Sequence, residues 1–160
     1  MKHLRLKEIL CVLVLAAFIF AVFAQNSATS DAAPADVGQA VFAACGLDAV
    51  EGVAVRGDKA FKKEFGLDPK QFDGGFWAAS NDVMEVRELL IVRLKDGDDG
   101  RALTDALRKR VEDKIVLFEG YAAAQTAQLK SYRLVQHGNF ILFAVCDAPA
   151  DAVKVFRRAL

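Results

Sequence analysis

The sequence predicts an α+β domain: two β-β-α units forming a mainly antiparallel four-stranded sheet, with helices packed on one face and short helices preceding it. Three observations carry this. Short runs of branched and aromatic residues, Val86 to Lys95 and Phe140 to Cys146, have strand composition. Between them, Leu103, Ala106, Leu107, Val111, Ile115 and Phe118 recur every three or four residues, the period of a helix with one apolar face. The order strand, strand, acidic turn, helix then occurs twice, from Gln71 and again from Ser131. Such units stack as two layers around one core.

The elements follow in order. Asp36 is placed to cap a first helix with Val37, Val41 and Ala44 on one side and Gly46 as its stop. Asp58 caps a second short helix that runs through Phe65 and ends at Gly66. The tripeptide Arg56-Gly57-Asp58 before it reads as a turn. Gln71 to Ser80 carries Phe72, Phe76 and Trp77 around Gly74-Gly75, a strand with a bulge. The strand Val86 to Lys95 ends at Asp96-Gly97-Asp98-Asp99-Gly100, before the long helix. In the second unit, strands Ser131 to Gln136 and Phe140 to Cys146 flank a turn at His137-Gly138-Asn139. Asp147 caps a last helix with Pro149 in its first turn and Ala152, Val153, Phe156 and Leu160 along one side.

The beginning of the chain has a different grammar. Lys2, Arg5 and Lys7 precede an uncharged run from Ile9 to Ala24, the layout of a signal peptide. A helix of that length covers roughly 24 Å, short of the ~30 Å hydrocarbon core, so cleavage fits better than a span. Val22-Phe23-Ala24 places the cleavage point after Ala24; the alternative is an uncleaved N-terminal membrane anchor. Residues 1–24 are thus signal or anchor, 25–35 a small polar flexible linker, and 36–160 a single domain. The expected location is extracytoplasmic, at the cell membrane or secreted.

Composition excludes several functions. After Ala24 there are 18 basic and 20 acidic residues with no basic stripe interleaved with aromatics, which argues against nucleic acid. The remaining histidine, His137, belongs to a turn, and no spacing of His, Cys, Asp or Glu suits a metal. Asp96, Asp98 and Asp99 resemble a calcium loop, but Leu107 stands where the bidentate glutamate is required. Phosphate-loop, dinucleotide and nucleophile-elbow motifs are missing, so neither a catalytic residue nor a cofactor is expected. Cys45 and Cys146 can pair as a disulfide or stay free, and spacing does not decide between them. Phe72, Phe76 and Trp77 are candidates for a ligand groove or for core. Asp68, Glu85 and Glu88 are the carboxylates to watch, with Glu88 read as a surface ion pair beside Arg87 and Arg93.

Phe65-Gly66-Leu67-Asp68, Arg87-Glu88-Leu89 leading into a branched strand, Arg110 ahead of Phe118 and Tyr121, and Gly138-Asn139-Phe140-Ile141-Leu142 before the last helix form a recognisable set. Together they resemble the DUF4358-like family of uncharacterised Gram-positive (Firmicutes) cell-envelope proteins, often predicted lipoproteins. The resemblance spans roughly residues 36–160. It implies an exported, often lipid-anchored domain and supplies no activity. Two departures stand out: no cysteine stands directly at the end of the signal to accept a lipid, and Tyr121 is followed by Ala122-Ala123-Ala124-Gln125 where relatives carry a proline. The expected role is a non-enzymatic interaction or structural module with a protein partner in the cell envelope, using the membrane itself if the signal stays uncleaved. The alternative is an extracytoplasmic small-molecule or peptide-binding protein, with a thiol- or carboxylate-based enzyme third.

Overall fold

A computed structural model describes residues 10–14 and 29–160. Residues 10–14 are helical and exposed; the rest of the apolar run and the cleavage point after Ala24 lie outside the described residues. Among the described residues, no helix is long and apolar enough to cross a membrane.

The domain is α+β, as the sequence predicts, but its antiparallel sheet has five strands, ordered β1-β2-β3-β5-β4. These are β1 (Val53–Val55), β2 (Gly75–Ser80), β3 (Glu88–Arg93), β4 (Arg133–His137) and β5 (Phe140–Val145). The helices are α1 (Pro34–Ala44), α2 (Asp58–Phe65), α3 (Arg101–Phe118), α4 (Ala123–Lys130) and α5 (Pro149–Arg158). The fifth strand is β1, three residues on an edge, too short to leave a periodic signal. Each predicted pair of strands is a hairpin, and the second strands of the two hairpins meet at the centre, with Glu88 opposite Val145 and Arg93 opposite Phe140. The β4–β5 hairpin turns on two residues, with Gly138 at φ 56°, a conformation that glycine adopts without steric cost.

Helices cover both faces of this sheet, not one. An antiparallel sheet with a wet face alternates apolar and polar residues, whereas β3 (ELLIVR) and β5 (FILFAV) are almost continuously apolar. Successive side chains point to opposite faces, so such runs need cover on both. On the first face, Trp77, Leu90, Val92, Ile141 and Phe143 pack with Leu103, Leu107 and Val111 of α3 and Phe61 and Phe65 of α2. On the second, Phe76, Leu89, Ile91, Leu142 and Ala144 pack with Val37 and Val41 of α1 and Ala152 and Phe156 of α5. Burying one such phenylalanine contributes about 1.5–3 kcal/mol. Gly38 lets α1 approach closely, because a Cβ there would overlap the base of the Phe76 ring.

The ends of the helices differ from the expected caps. α1 begins at Pro34 behind Ala33, and α5 begins behind Ala148; neither is closed by an aspartate side chain. Asp147 is instead drawn away to Arg87 (3.3 Å) and Gln128 (2.7 Å). Asp98 and Asp99 accept hydrogen bonds from the backbone N–H groups of Gly100 and Arg101 at the start of α3. Beyond Gly120 the chain starts a separate helix, α4, on the Ala122–Gln125 stretch. Part of the stretch read as linker is held to the domain. The Ser30 N–H donates to Asn139 Oδ1 (2.9 Å), Asn139 Nδ2 donates to the Ser30 carbonyl (3.1 Å), and Arg93 donates to the Asp31 and Ala32 carbonyls.

Candidate functional site

The first face of the sheet carries a charge where an apolar residue would be expected. Glu88 opens β3 in the same facing as Leu90 and Val92, opposite Ala79 on one side and Val145 on the other, and is only 1% exposed. A lone ionised carboxylate at such a depth is very costly, so its partners decide whether it is tolerated. Trp77, two residues along from Ala79 on β2, donates its indole N–H to Glu88 Oε1 at 2.8 Å. Arg110 Nε and Lys114 Nζ of α3 donate to Oε2 at 3.1 and 3.2 Å. Arg110 and Lys114 are four residues apart, on the flank of the helix stripe that buries Leu107, Val111 and Phe118. The other end of the Arg110 guanidinium pairs with Glu64 of α2, and its plane lies 5.2 Å from the Phe65 ring centroid.

Burial pushes the Glu88 carboxyl up, but Lys114, Arg110 and the two hydrogen bonds from Arg110 and Trp77 outweigh it and hold the group below the usual carboxylate range. Arg110 is the mirror case: burial opposes its charge, and Glu88 and Glu64 more than restore it. The site is therefore ionised on both sides at neutral pH. No buried side-chain N or O atom among the described residues lacks a hydrogen-bond partner.

Over this cluster opens a cleft of about 490 Å³ between α2, α3 and the loop joining β2 to β3. Trp77, Arg110 and Lys114 reach its floor, and its walls bring Arg56, Lys63, Glu64, Asp82, Glu85 and Arg87. Arg87 is committed to Glu85 (2.5 Å), and Asp82 accepts from the Met84 N–H. Arg56 and Lys63 have no side-chain hydrogen bond or ion pair among the described residues. Cationic side chains outnumber acidic ones around the opening, five to three. A second hollow of about 500 Å³ continues between α2 and α3, and the Glu64–Arg110 pair borders both.

The predicted site residues are only partly brought together. Trp77 reaches the cleft, Phe72 packs into an aromatic cluster with Phe61, and Phe76 lies on the opposite face against α1. A groove lined by all three is ruled out by the strand itself, since Phe76 and Trp77 are neighbours and must face opposite ways. Glu88 is no surface pair with Arg87 and Arg93: those residues bind Glu85 and Asp73 at the strand's two ends. Asp68 closes a short 3₁₀ turn by accepting from the Lys70 N–H. His137 ends β4 beside the hairpin turn. Cys45 and Cys146 meet on the second face with their sulfurs 2.9 Å apart, and the shared hydrogen bond and burial push the Cys45 thiol well above its ordinary value.

Sequence reasoning sees one signal of this site and misses the other. Glu88 is noticed as an acid in an apolar strand but assigned to surface partners, and the two cations Arg110 and Lys114, four residues apart beside the apolar stripe of the long helix, are not read as its partners. Opposite charges that each break a buried pattern are candidates to meet.

A model of the family described as "Domain of unknown function (DUF4358)" matches residues 51–146. The chain belongs to this family. No curated protein and no solved structure matches it. The DUF4358 segment contains all five strands together with α2, α3 and α4, and so encloses the whole Glu88 cleft. The helices of the second face, α1 and α5, fall outside the matched residues.

Proposed function

We propose that this DUF4358 domain is a non-enzymatic, extracytoplasmic binding module that takes a carboxylate-bearing small molecule or peptide into the cleft over Glu88. The observation that carries the reading is the pre-paired Glu88–Arg110–Lys114–Trp77 cluster at the floor of an open cleft whose unpaired rim groups, Arg56 and Lys63, are cationic. Buried ion clusters are weak sources of stability, and apolar replacements of the same volume often do as well. Retaining one beneath a cleft favours a use in recognition. Binding is favoured over catalysis because a carboxylate held ionised by three donors is a poor proton carrier near neutral pH. The basic start and apolar run before residue 25 support export, by a cleaved signal or an uncleaved anchor.

The test is a calorimetric and thermal-shift titration of the purified protein with mono- and dicarboxylates and with short peptides bearing a free C-terminus. The two panels separate the small-molecule and peptide versions. Arg56→Glu and Lys63→Glu should each weaken binding roughly tenfold or more, since a hydrogen bond to a charged group contributes about 1.5–3 kcal/mol. The melting temperature without ligand should stay unchanged. If no member of either panel binds at millimolar concentration, the reading fails.

A second reading, an interaction module held by a protein partner in the cell envelope, has one observation in its favour. Val83 and Leu117 on the cleft wall, with Val116 and Tyr121 on and just beyond the end of α3, are 61–80% exposed. Crosslinking and pull-down from native membranes tests it: a partner lost on Leu117→Asp would favour docking over small-ligand capture.

A further inference from the structure

We propose that Cys45 and Cys146 are joined as a disulfide in the mature domain, formed during folding and retained as a permanent brace. Cys45 closes the C-terminus of α1, and Cys146 directly follows β5, 101 residues later. Their sulfurs lie 2.9 Å apart, so closing to a bonded separation of about 2.05 Å needs only a small local movement. Both belong to the apolar cluster of the second face, where their neighbours include Val41, Leu47 and Ala144.

Burial decides what kind of bond this is. The two residues are 4% and 1% exposed, and although Cys146 borders a hollow with Gln128 and Asp147, the pair offers almost no surface to an enzyme or small thiol while the domain stays folded. Catalytic and sensor cysteines need an accessible thiolate, which excludes a cycling redox pair. The bond therefore forms while α1 is still settling onto the sheet. Two S–H bonds break and one S–S bond forms. Two electrons and two protons pass to an external disulfide oxidant, which leaves as two thiols. Such an oxidant is met outside the cytoplasm, so the bond in the producing cell rests on the export reading above.

The bond would tie α1, outside the DUF4358 segment, to the last residue of that segment. It lies at the same end of the sheet as the cleft, since Val145, next to Cys146, pairs with Glu88. α1 would thus be fixed to the sheet without spending any group that the cleft uses.

The experiment blocks free thiols in denaturing lysis, so that buried thiols are also reached, and maps non-reduced peptides from the full-length protein recovered from its producing cells. A linked Cys45–Cys146 peptide pair is expected, with reductant lowering the melting temperature on the order of 10 °C. The Cys45→Ala/Cys146→Ala variant should melt at one temperature with or without reductant. If that variant does not fold, wild type with and without reductant still gives the comparison. Fractionation is run alongside, because retention in the cytoplasm would fail the export reading and not this one. In that case refolding with oxidised glutathione decides: linked peptides support the bond, and two alkylated cysteines overturn it. Two alkylated cysteines in exported protein overturn it outright.

Discussion

On one face of the sheet, α3 lays two cations beside its apolar stripe and closes over a buried carboxylate; on the other, α1 and α5 bury only carbon and two sulfurs. The same central strands supply both faces, so the difference comes from which residue parity holds Glu88. The apolar face has no polar partner to lose and is governed by volume. The charged face is governed by completeness of pairing, because each donor satisfies an acceptor that would otherwise be stranded in low dielectric. The cleft over Glu88 opens on the charged face, inside the DUF4358 segment. The comparison suggests a division of labour, with one face holding the fold together and the other holding a site.

The largest effects should come from opening each face by its own weakness. Glu88→Ala strands Arg110, Lys114 and the Trp77 N–H and should cost about 3–5 kcal/mol in urea denaturation. Phe156→Ala leaves a cavity on the apolar face and should cost a similar amount, about 3–5 kcal/mol. What separates them is rescue. Replacing the charged members together, Glu88→Met with Arg110→Leu and Lys114→Met, should recover much of the Glu88→Ala loss, short of about 1–3 kcal/mol for the unpaired Trp77 N–H, while abolishing ligand binding. A triple variant as unstable as Glu88→Ala would mean that the cluster is needed for folding itself.

A smaller and more selective effect should follow from acid. Because the folded protein holds Glu88 below its ordinary value, its contribution is fully present above the unfolded glutamate value of about 4.3 and is lost as pH falls through the folded value. Glu85, lowered by its hydrogen bond to Arg87, acts in the same direction. Urea midpoints measured from pH 7 to pH 3 should therefore fall on the acid side, and Glu88→Gln should flatten that fall in part. Phe156→Ala should shift the whole curve down and leave its shape alone. A Glu88→Gln curve parallel to wild type would mean that folding does not shift the Glu88 carboxyl from its unfolded value.

Much of the fold was legible because periodicity is local. Leu103, Leu107, Val111 and Phe118 announced α3, and Phe140 to Cys146 announced β5 within a residue. What escaped depended on distant partners. β1 is three residues on an edge and exists through its pairing with β2, and α4 follows a break at Gly120 that an alanine-rich stretch does not advertise. The covering of both faces was in fact written in β3 and β5, whose runs lack alternation. Glu88 was legible as an anomaly but not as a site: Arg110 is 22 residues away, and only the packing of α3 across the sheet brings the two together. Asp147 misled for a related reason, since a capping preference is weak enough for a tertiary partner such as Arg87 to redirect the side chain, whereas Asp36 lies inside a first turn that starts two residues earlier, at Pro34.

The apolar face can also be probed by adding volume instead of removing it. At Gly38 a Cβ would meet Cβ, Cγ and Cδ1 of Phe76, and the Phe76 Cβ is held in place by the backbone of β2. Overpacking of this kind costs about 1–3 kcal/mol, while alanine gains up to about 1 kcal/mol over glycine within a helix. Gly38→Ala should therefore destabilise by up to about 2 kcal/mol net. Placed on a Phe76→Ala background, the same substitution should lose most of its penalty, because the Cγ and Cδ1 contacts are removed and the propensity gain remains. Denaturation of the four proteins in that cycle measures the coupling between α1 and β2 directly. Titration of the same four with any ligand that fills the cleft should show unchanged affinity, since Gly38 and Phe76 lie on the far side of the sheet from Glu88; a coupled loss of binding would mean that the two faces do not act separately.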